Sequence, residues 1–464
     1  MGALLVVGCV RAPVQPLLPS APHELWVDAF AREGGDGGVE AALKVMPVLQ
    51  EAARVHVRSG LYAGPFSFPA GTSLEGHGEA VLYLEGTGTV VTARAPLQLK
   101  HLSIQGGAVG VLATAPLSLD EVKFSGHRVA ALQVLDAGAE ARAIEVASRL
   151  DTVGVEAINA SVTISGAKLD GPLAFGVRAA DSAVRLSRVT SVGAASVVQV
   201  LRGALELDGL DASGGLRTAI SVSSANGVLS NLDVTGFEYA ALALKSTVEL
   251  RHARLRGARF CGASFVSSKP TLDDVVIERA GSGGGVQLLD ADSDVRTLTV
   301  MNTLASGLLV RKGKARIGRL VVRDLRGEPG PDGALLSGDG LQVRDAEVEL
   351  GSLEADTLDG AGVYASSVAK VVAKRIDVRS SGFGAVVVER KSMLFAESIT
   401  SRASRGPSIA APEDGLIDVK SLSAQGGDVS VWADCASGSF VTVGAVDEGT
   451  VLPRLRCLEQ PKAK

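Results

Sequence analysis

Residues 95–106 read APLQLKHLSIQG, and residues 115–126 read APLSLDEVKFSG. Both follow L-x-L-x-x-h-x-h-x-G, where h is apolar. Alternation places Leu97 and Leu99 on one face of an extended segment. A glycine turn closes each unit. A unit this short cannot bury its apolar face alone, so successive units must stack on one another.

The second apolar residue of each unit can be followed for most of the chain: Leu99, Leu119, Ala141, Ile164, Leu186, Leu207, Leu229, Leu250, Leu272, Val295, Ile317, Leu350, Ala373, Ala396 and Val419. The steps are 20 to 23 residues, except for one of 33 between Ile317 and Leu350. A second apolar run follows about ten residues after each, as in Val129–Val134, Ala240–Leu244 and Phe383–Val388. Two or three short strands per ~22-residue coil is the arithmetic of a parallel β-helix. The leucine-rich-repeat consensus is absent, and a propeller needs roughly 40 residues per blade. Coils stacked ~4.8 Å apart predict a rod on the order of 70 Å long. The long step holds Arg326–Gly333 and Gly338-Asp339-Gly340, read as a surface loop or as a loop that shapes a groove.

Composition agrees. Hydrophobic residues make up 46% of the 464, aromatics only 4%, and there are 55 glycines. Such a core suits short strands and tight turns better than a helical bundle. The net charge is −5, from 46 basic and 51 acidic residues, which leaves no electrostatic footprint for nucleic acid. The basic runs at Arg251–Arg259 and Arg311–Arg323 are interleaved with acids and read as solvated faces.

The chain begins MGALLVVGCV. The apolar run ending in Val-Val-Gly-Cys resembles the lipobox of a bacterial lipoprotein signal, which implies lipidation of Cys9 and a membrane-anchored place in the bacterial cell envelope. No Lys or Arg precedes the run, so the basic region of such a signal is missing. The segment Val10–His23 is rich in proline and reads as a tether. The expected divisions are 1–23 signal remnant and tether, 24–54 cap, 55–434 β-helix, and 435–464 C-terminal cap and tail. In the first cap, Val39, Ala42, Leu43 and Met46 recur at helical spacing behind Asp36, predicting a short helix that ends near Pro47. The run from Val55 to Gly78 (VHVRSGLYAGPFSFPAGTSLEGHG) resembles the entry to pectin-lyase-like right-handed parallel β-helices. That resemblance implies an all-β, single-stranded solenoid with a helical plug over its open end. Of the cysteines, Cys435 and Cys457 are placed to close a disulfide loop, and Cys261 reads as a small buried residue.

The superfamily includes polysaccharide lyases, glycoside hydrolases and adhesins, so the chemistry has to be sought residue by residue. Polygalacturonase-like members carry N-T-D, a paired G-D-D, G-H-G and R-I-K, whose carboxylates supply acid and base. Here N-T-D and G-D-D are absent. Gly76-His77-Gly78 matches one element but lies ahead of the repeat, and Arg375-Ile376-Asp377 departs from R-I-K at its last residue. Both read as coincidences, and no catalytic set is assigned. Asp290, Asp292 and Asp294 alternate within one turn and form the best candidate for Ca²⁺, the one cofactor considered, although the EF-hand pattern fails around them and a polar turn explains them as well. His23, His56, His77, His101, His127 and His252 show no metal-ligand spacing along the chain. Neither a G-x-S-x-G nor a phosphate-binding glycine loop is present. The four tyrosines are scattered. The outward positions Lys100, Asp120, Ser187, Asp208, Arg251, Asp273, Arg296, Lys374 and Lys420 mix both signs, which favours solubility.

The reading is a non-catalytic envelope lipoprotein that presents a face to a polysaccharide or an envelope protein. The alternative is a polysaccharide lyase or glycoside hydrolase with an unusual site.

Overall fold

In a computed structural model of the chain, the described residues are 23–149, 151–329, 335–426 and 430–447. They form an all-β parallel solenoid of about 17 turns. Each turn contributes to three faces. The first face is the ladder read from sequence: Leu74 pairs in parallel with Leu99, Leu99 with Leu119, and so on without slippage to Val419 and Val443. The second face stacks Leu82, Ile104, Phe124, Val146 and Leu169. The third stacks Val91, Val111, Leu132, Val155 and Val177. All of these point inward and are buried, except Val443 on the last described strand, which is half-buried against the core. Ala141 and Ala396, weak members by sequence, hold their rungs as buried alanines.

The chain turns three times per coil, and left-handed residues do the turning. Between the first and second faces these include His101 (φ 51°), Arg188 (53°), Asn231 (56°) and Asp274 (53°). Between the third and first they include Asp136, Asp181, Lys245 and Asp290. Between the second and third faces glycine dominates. Gly171 sits at φ +95°, and a β-carbon there would lie 2.0 Å from the Ser148 carbonyl oxygen. Crowding therefore demands glycine at that point as well as the backbone angle.

Small residues follow the corner between third and first faces. The Ser182 hydroxyl accepts the Ala160 N–H at 3.0 Å and donates to the Ala180 carbonyl at 2.7 Å. Ser246 repeats the motif, accepting from Ala225 and donating to Leu244. These serines satisfy amides that the tight corner removes from the strand ladder.

The helix expected over 36–46 is not formed, and no α-helix occurs among the described residues. Leu25 and Trp26 belong to a strand, His23–Val27, which pairs with Ala53–Val57. The next segment caps that strand's open edge. Trp26 N–H donates to the Gly37 carbonyl (2.8 Å), Leu43 N–H to the Trp26 carbonyl (2.9 Å), and Asp28 N–H to the Leu43 carbonyl (2.8 Å). A helix would have claimed the Leu43 amide for itself. Gly34 and Gly37, at φ 88° and 90°, also break helical geometry. Among the described residues the ladder reaches beyond the expected limits at both ends: it is already formed at His23, and Phe440–Val446 adds a strand on Leu416–Leu422. That last strand escaped the repeat pattern because most of its side chains are exposed.

The long step is an insertion at the corner between second and third faces. Glu328–Pro329 pairs antiparallel with Leu335–Leu336. Behind it, Asp339 is buried and accepts the Ala361 N–H at 2.8 Å. Cys435 is disulfide-bonded. Cys457 and Cys9 lie outside the described residues. Cys261 is a free, buried thiol.

Candidate functional site

Outward side chains on the first face lie in register rows, because every coil repeats the same inside–outside alternation. One row runs Ser73, Gln98, Ser118, Glu140, Thr163, Arg185 and on through Arg316 and Glu349 to Phe395 and Asp418. Four shallow depressions of about 430 to 620 Å³ lie end to end over this face. Neighbours share residues: Ser161 and Thr163 join the first two, Thr247 and Thr271 the next two, and Arg316, Glu349 and Val372 the last two. The result is one continuous groove from Gly71 to Lys420.

Its lining is mixed. Val228 and Val372 are exposed apolar side chains. The charged groups are tied across coils: Arg185 to Glu206 (2.7 Å), Lys314 to Glu347 (3.0 Å) and Arg316 to Glu349 (3.3 Å). The Lys314 ammonium holds the Glu347 carboxyl below its usual range. A general acid in sugar chemistry needs the opposite shift. The described residues of the insertion lie at the corner opposite this face and do not line the groove.

The three expected calcium ligands are separated in their contacts. Asp290 is a left-handed corner residue that accepts the Ser267 hydroxyl at 3.0 Å. Asp292 accepts the Lys314 N–H at 3.1 Å. Asp294 stands in the groove row between Thr271 and Arg316. Several of the outward charges mixed by sign in sequence become pairs, with Arg142 gripping Asp120 through two 2.7 Å bonds and Arg296 reaching Asp273 at 3.1 Å.

Linear spacing hid another cluster. His56, Glu75 and His77 come together on the first coils, with one ligand atom from each within 4.8 Å of the others. Among the described residues this is the one group of three or more His, Cys, Asp or Glu that meets that condition. His56 pairs in register with Glu75, and His77 follows two residues on, on the same side of the strand. The sign in the sequence was the period itself: His56 and His77 are one coil apart. The same rule unites His101 with Glu121 (3.2 Å) and His252 with Asp274 (3.0 Å). His127 is different. It is buried, its Nδ1 faces the Gly106 carbonyl, its Nε2 lacks a partner, and burial pulls its pKa down.

Fold and face together define a parallel β-solenoid with one grooved side. No known family profile and no curated protein matches the sequence. Among solved structures, similarity is found to a GH136 lacto-N-biosidase from Eubacterium ramulus (9% identity, 87% of this chain and 68% of that one, TM-score 0.22). Bacteriophage CBA120 tailspike protein 3 gives 10% identity over 89% of this chain and 58% of that one, TM-score 0.19. The Azotobacter vinelandii mannuronan C-5 epimerase AlgE6 A-module gives 12% identity over 87% and 92%, TM-score 0.18. Among the described residues no helix is long and apolar enough to cross a membrane.

Proposed function

We propose that this chain is a non-catalytic scaffold of the bacterial cell envelope that holds an elongated polymer, a polysaccharide or an extended protein segment, along its first face. The observation that carries this reading is the continuity of the groove. A groove repeating coil by coil matches a ligand that also repeats, and its paired charges and short polar side chains offer hydrogen bonds along the whole length. The envelope assignment rests on the lipobox-like run ending at Cys9.

The test is affinity electrophoresis and calorimetry against a panel of acidic and neutral polysaccharides, with and without Ca²⁺, alongside an assay for released reducing ends and unsaturated products. The expected result is binding without turnover, weakened at least tenfold by Ala183→Trp, which fills the groove from an exposed position. Product release would overturn the non-catalytic reading in favour of a lyase or hydrolase. No polysaccharide binding, with capture of an envelope protein sensitive to the same substitution, would move the ligand to protein.

A further inference from the structure

We propose that His56, Glu75 and His77 form a binding site for a divalent transition-metal ion of the zinc class. The donor set is two imidazoles and one carboxylate, which suits zinc and its neighbours in the series and leaves a fourth position for water or a ligand atom. Calcium and magnesium prefer all-oxygen shells, so this site selects against them.

The geometry favours coordination. His56 Nδ1 and His77 Nε2 lie 2.9 Å apart. Two nitrogens on one tetrahedral zinc, each at about 2.0–2.1 Å, stand roughly 3.3 Å apart. A shift of a few tenths of an ångström, taken up by the exposed His77 side chain, bridges the difference. In the metal-free pair one imidazole donates to the other. When metal binds, both must present lone pairs, and the proton between them moves to an outer ring nitrogen or to solvent.

The surroundings hold the rings in place. Trp26, in register with His56, stacks on both: centroids are 4.4 Å apart for His56 and 5.1 Å for His77, with interplanar angles of 17° and 26°. Trp26 is in turn overlaid by the Arg58 guanidinium at 5.2 Å. Arg58 is fixed by Asp28 at 3.2 Å and by the Val39 carbonyl at 2.7 Å. Its positive charge is therefore met by a carboxylate and does not oppose the metal alone. Glu75 supplies the compensating negative charge at the site, with Lys100 next in its row. A stacked aromatic, two oriented imidazoles and a carboxylate make a preorganised cradle on rigid strands.

The test is calorimetric titration of the tag-free full chain with Zn²⁺ alone at pH 7.5, and with Co²⁺ for its visible spectrum. One equivalent should bind, at micromolar affinity or tighter. Affinity should fall by tenfold or more when pH drops from 7.5 to 5.5, because protonated imidazole is no ligand. Bound Co²⁺ should show d–d bands of a four- or five-coordinate site without the near-ultraviolet thiolate band. His77→Ala and Glu75→Gln should each weaken binding at least tenfold, His56→Ala with His77→Ala should abolish it, and His252→Ala should leave it unchanged. Circular dichroism and melting curves that match the parent show that the variants fold. Stoichiometric binding that survives the double variant, or absence of binding by the parent chain, would overturn the assignment.

Discussion

The Asp339 carboxylate accepts the Ala361 amide at 2.8 Å from a position with almost no access to water. Desolvation raises its pKa to about 6, well above the ordinary carboxylate range. The folded chain thus binds this proton more readily than the unfolded chain, and stability contributed here rises as pH falls from about 7 toward 4. Asp339→Asn keeps the acceptor without the charge. The substituted chain should be more stable than the parent at pH 7.5, by an amount on the order of 2–3 kcal/mol, and the difference should shrink as pH falls through 6 and vanish by about pH 3. Urea titrations at the two pH values measure it.

His127 works in the opposite sense. Its pKa lies below the usual imidazole value because burial disfavours the charged ring. Unfolding at low pH releases it to take up a proton, so stability is lost as pH falls below about 6.5. His127→Gln, which can still donate to the Gly106 carbonyl, should flatten the acid side of the stability profile. If the slope between pH 6.5 and 5 is unchanged in that variant, the imidazole is not its source.

Leu207 is wholly buried on the first-face ladder, two rungs from Leu250 through Leu229. Leu207→Ala should cost about 2–5 kcal/mol of unfolding free energy, the range for a core cavity. Val228, on the neighbouring outward row and 44% exposed, should tolerate Val228→Ser within roughly 0.5 kcal/mol. Denaturant midpoints with unchanged slopes would verify both.

Gly171 should not accept a side chain. Gly171→Ala combines a left-handed backbone with a clash against the Ser148 carbonyl, and should destabilise by more than 1 kcal/mol. The reverse experiment is Ala143→Asn: Ala143 occupies the left-handed region at φ 51°, where asparagine is better tolerated, and the melting temperature should hold or rise.

Cys261 should be chemically silent. Burial pushes its thiol up to about 12, and Sγ donates to the Ala263 carbonyl at 3.3 Å. Iodoacetamide at pH 8 should label the peptide containing Cys261 only after denaturant is added, as peptide mapping would show.

The inward ladder was legible because it obeys one rule throughout: an apolar side chain every ~22 residues has no other place to go in a stacked coil. Leu99, Ile164 and Val295 could therefore be put on one face before any contact was known. The cap was not legible, because Val39, Ala42, Leu43 and Met46 satisfy a helical period while the amides around them are needed to close the edge of Trp26 and its strand. The histidine cluster was hidden for a different reason. His56 and His77 look unrelated on a line and become neighbours only when the line is wound at its own period. Asp290, Asp292 and Asp294 are the converse: close in sequence, they turn to different partners once alternation and the corner take effect.

The stacking of coils also has a mechanical meaning. The first and last described strands, at His23 and Val446, lie at opposite ends of a rod roughly 80 Å long, given ~4.8 Å per coil. Tension between those ends loads the coils in series. The strand Phe440–Val446, which among the described residues pairs only with Leu416–Leu422, yields before His23–Val27, whose outer edge is bonded to Gly37 and Leu43. Each coil that peels away then releases about 22 residues, or roughly 70 Å of slack at full extension. Under pulling, the chain should lengthen in even steps set by the same period that built its wall.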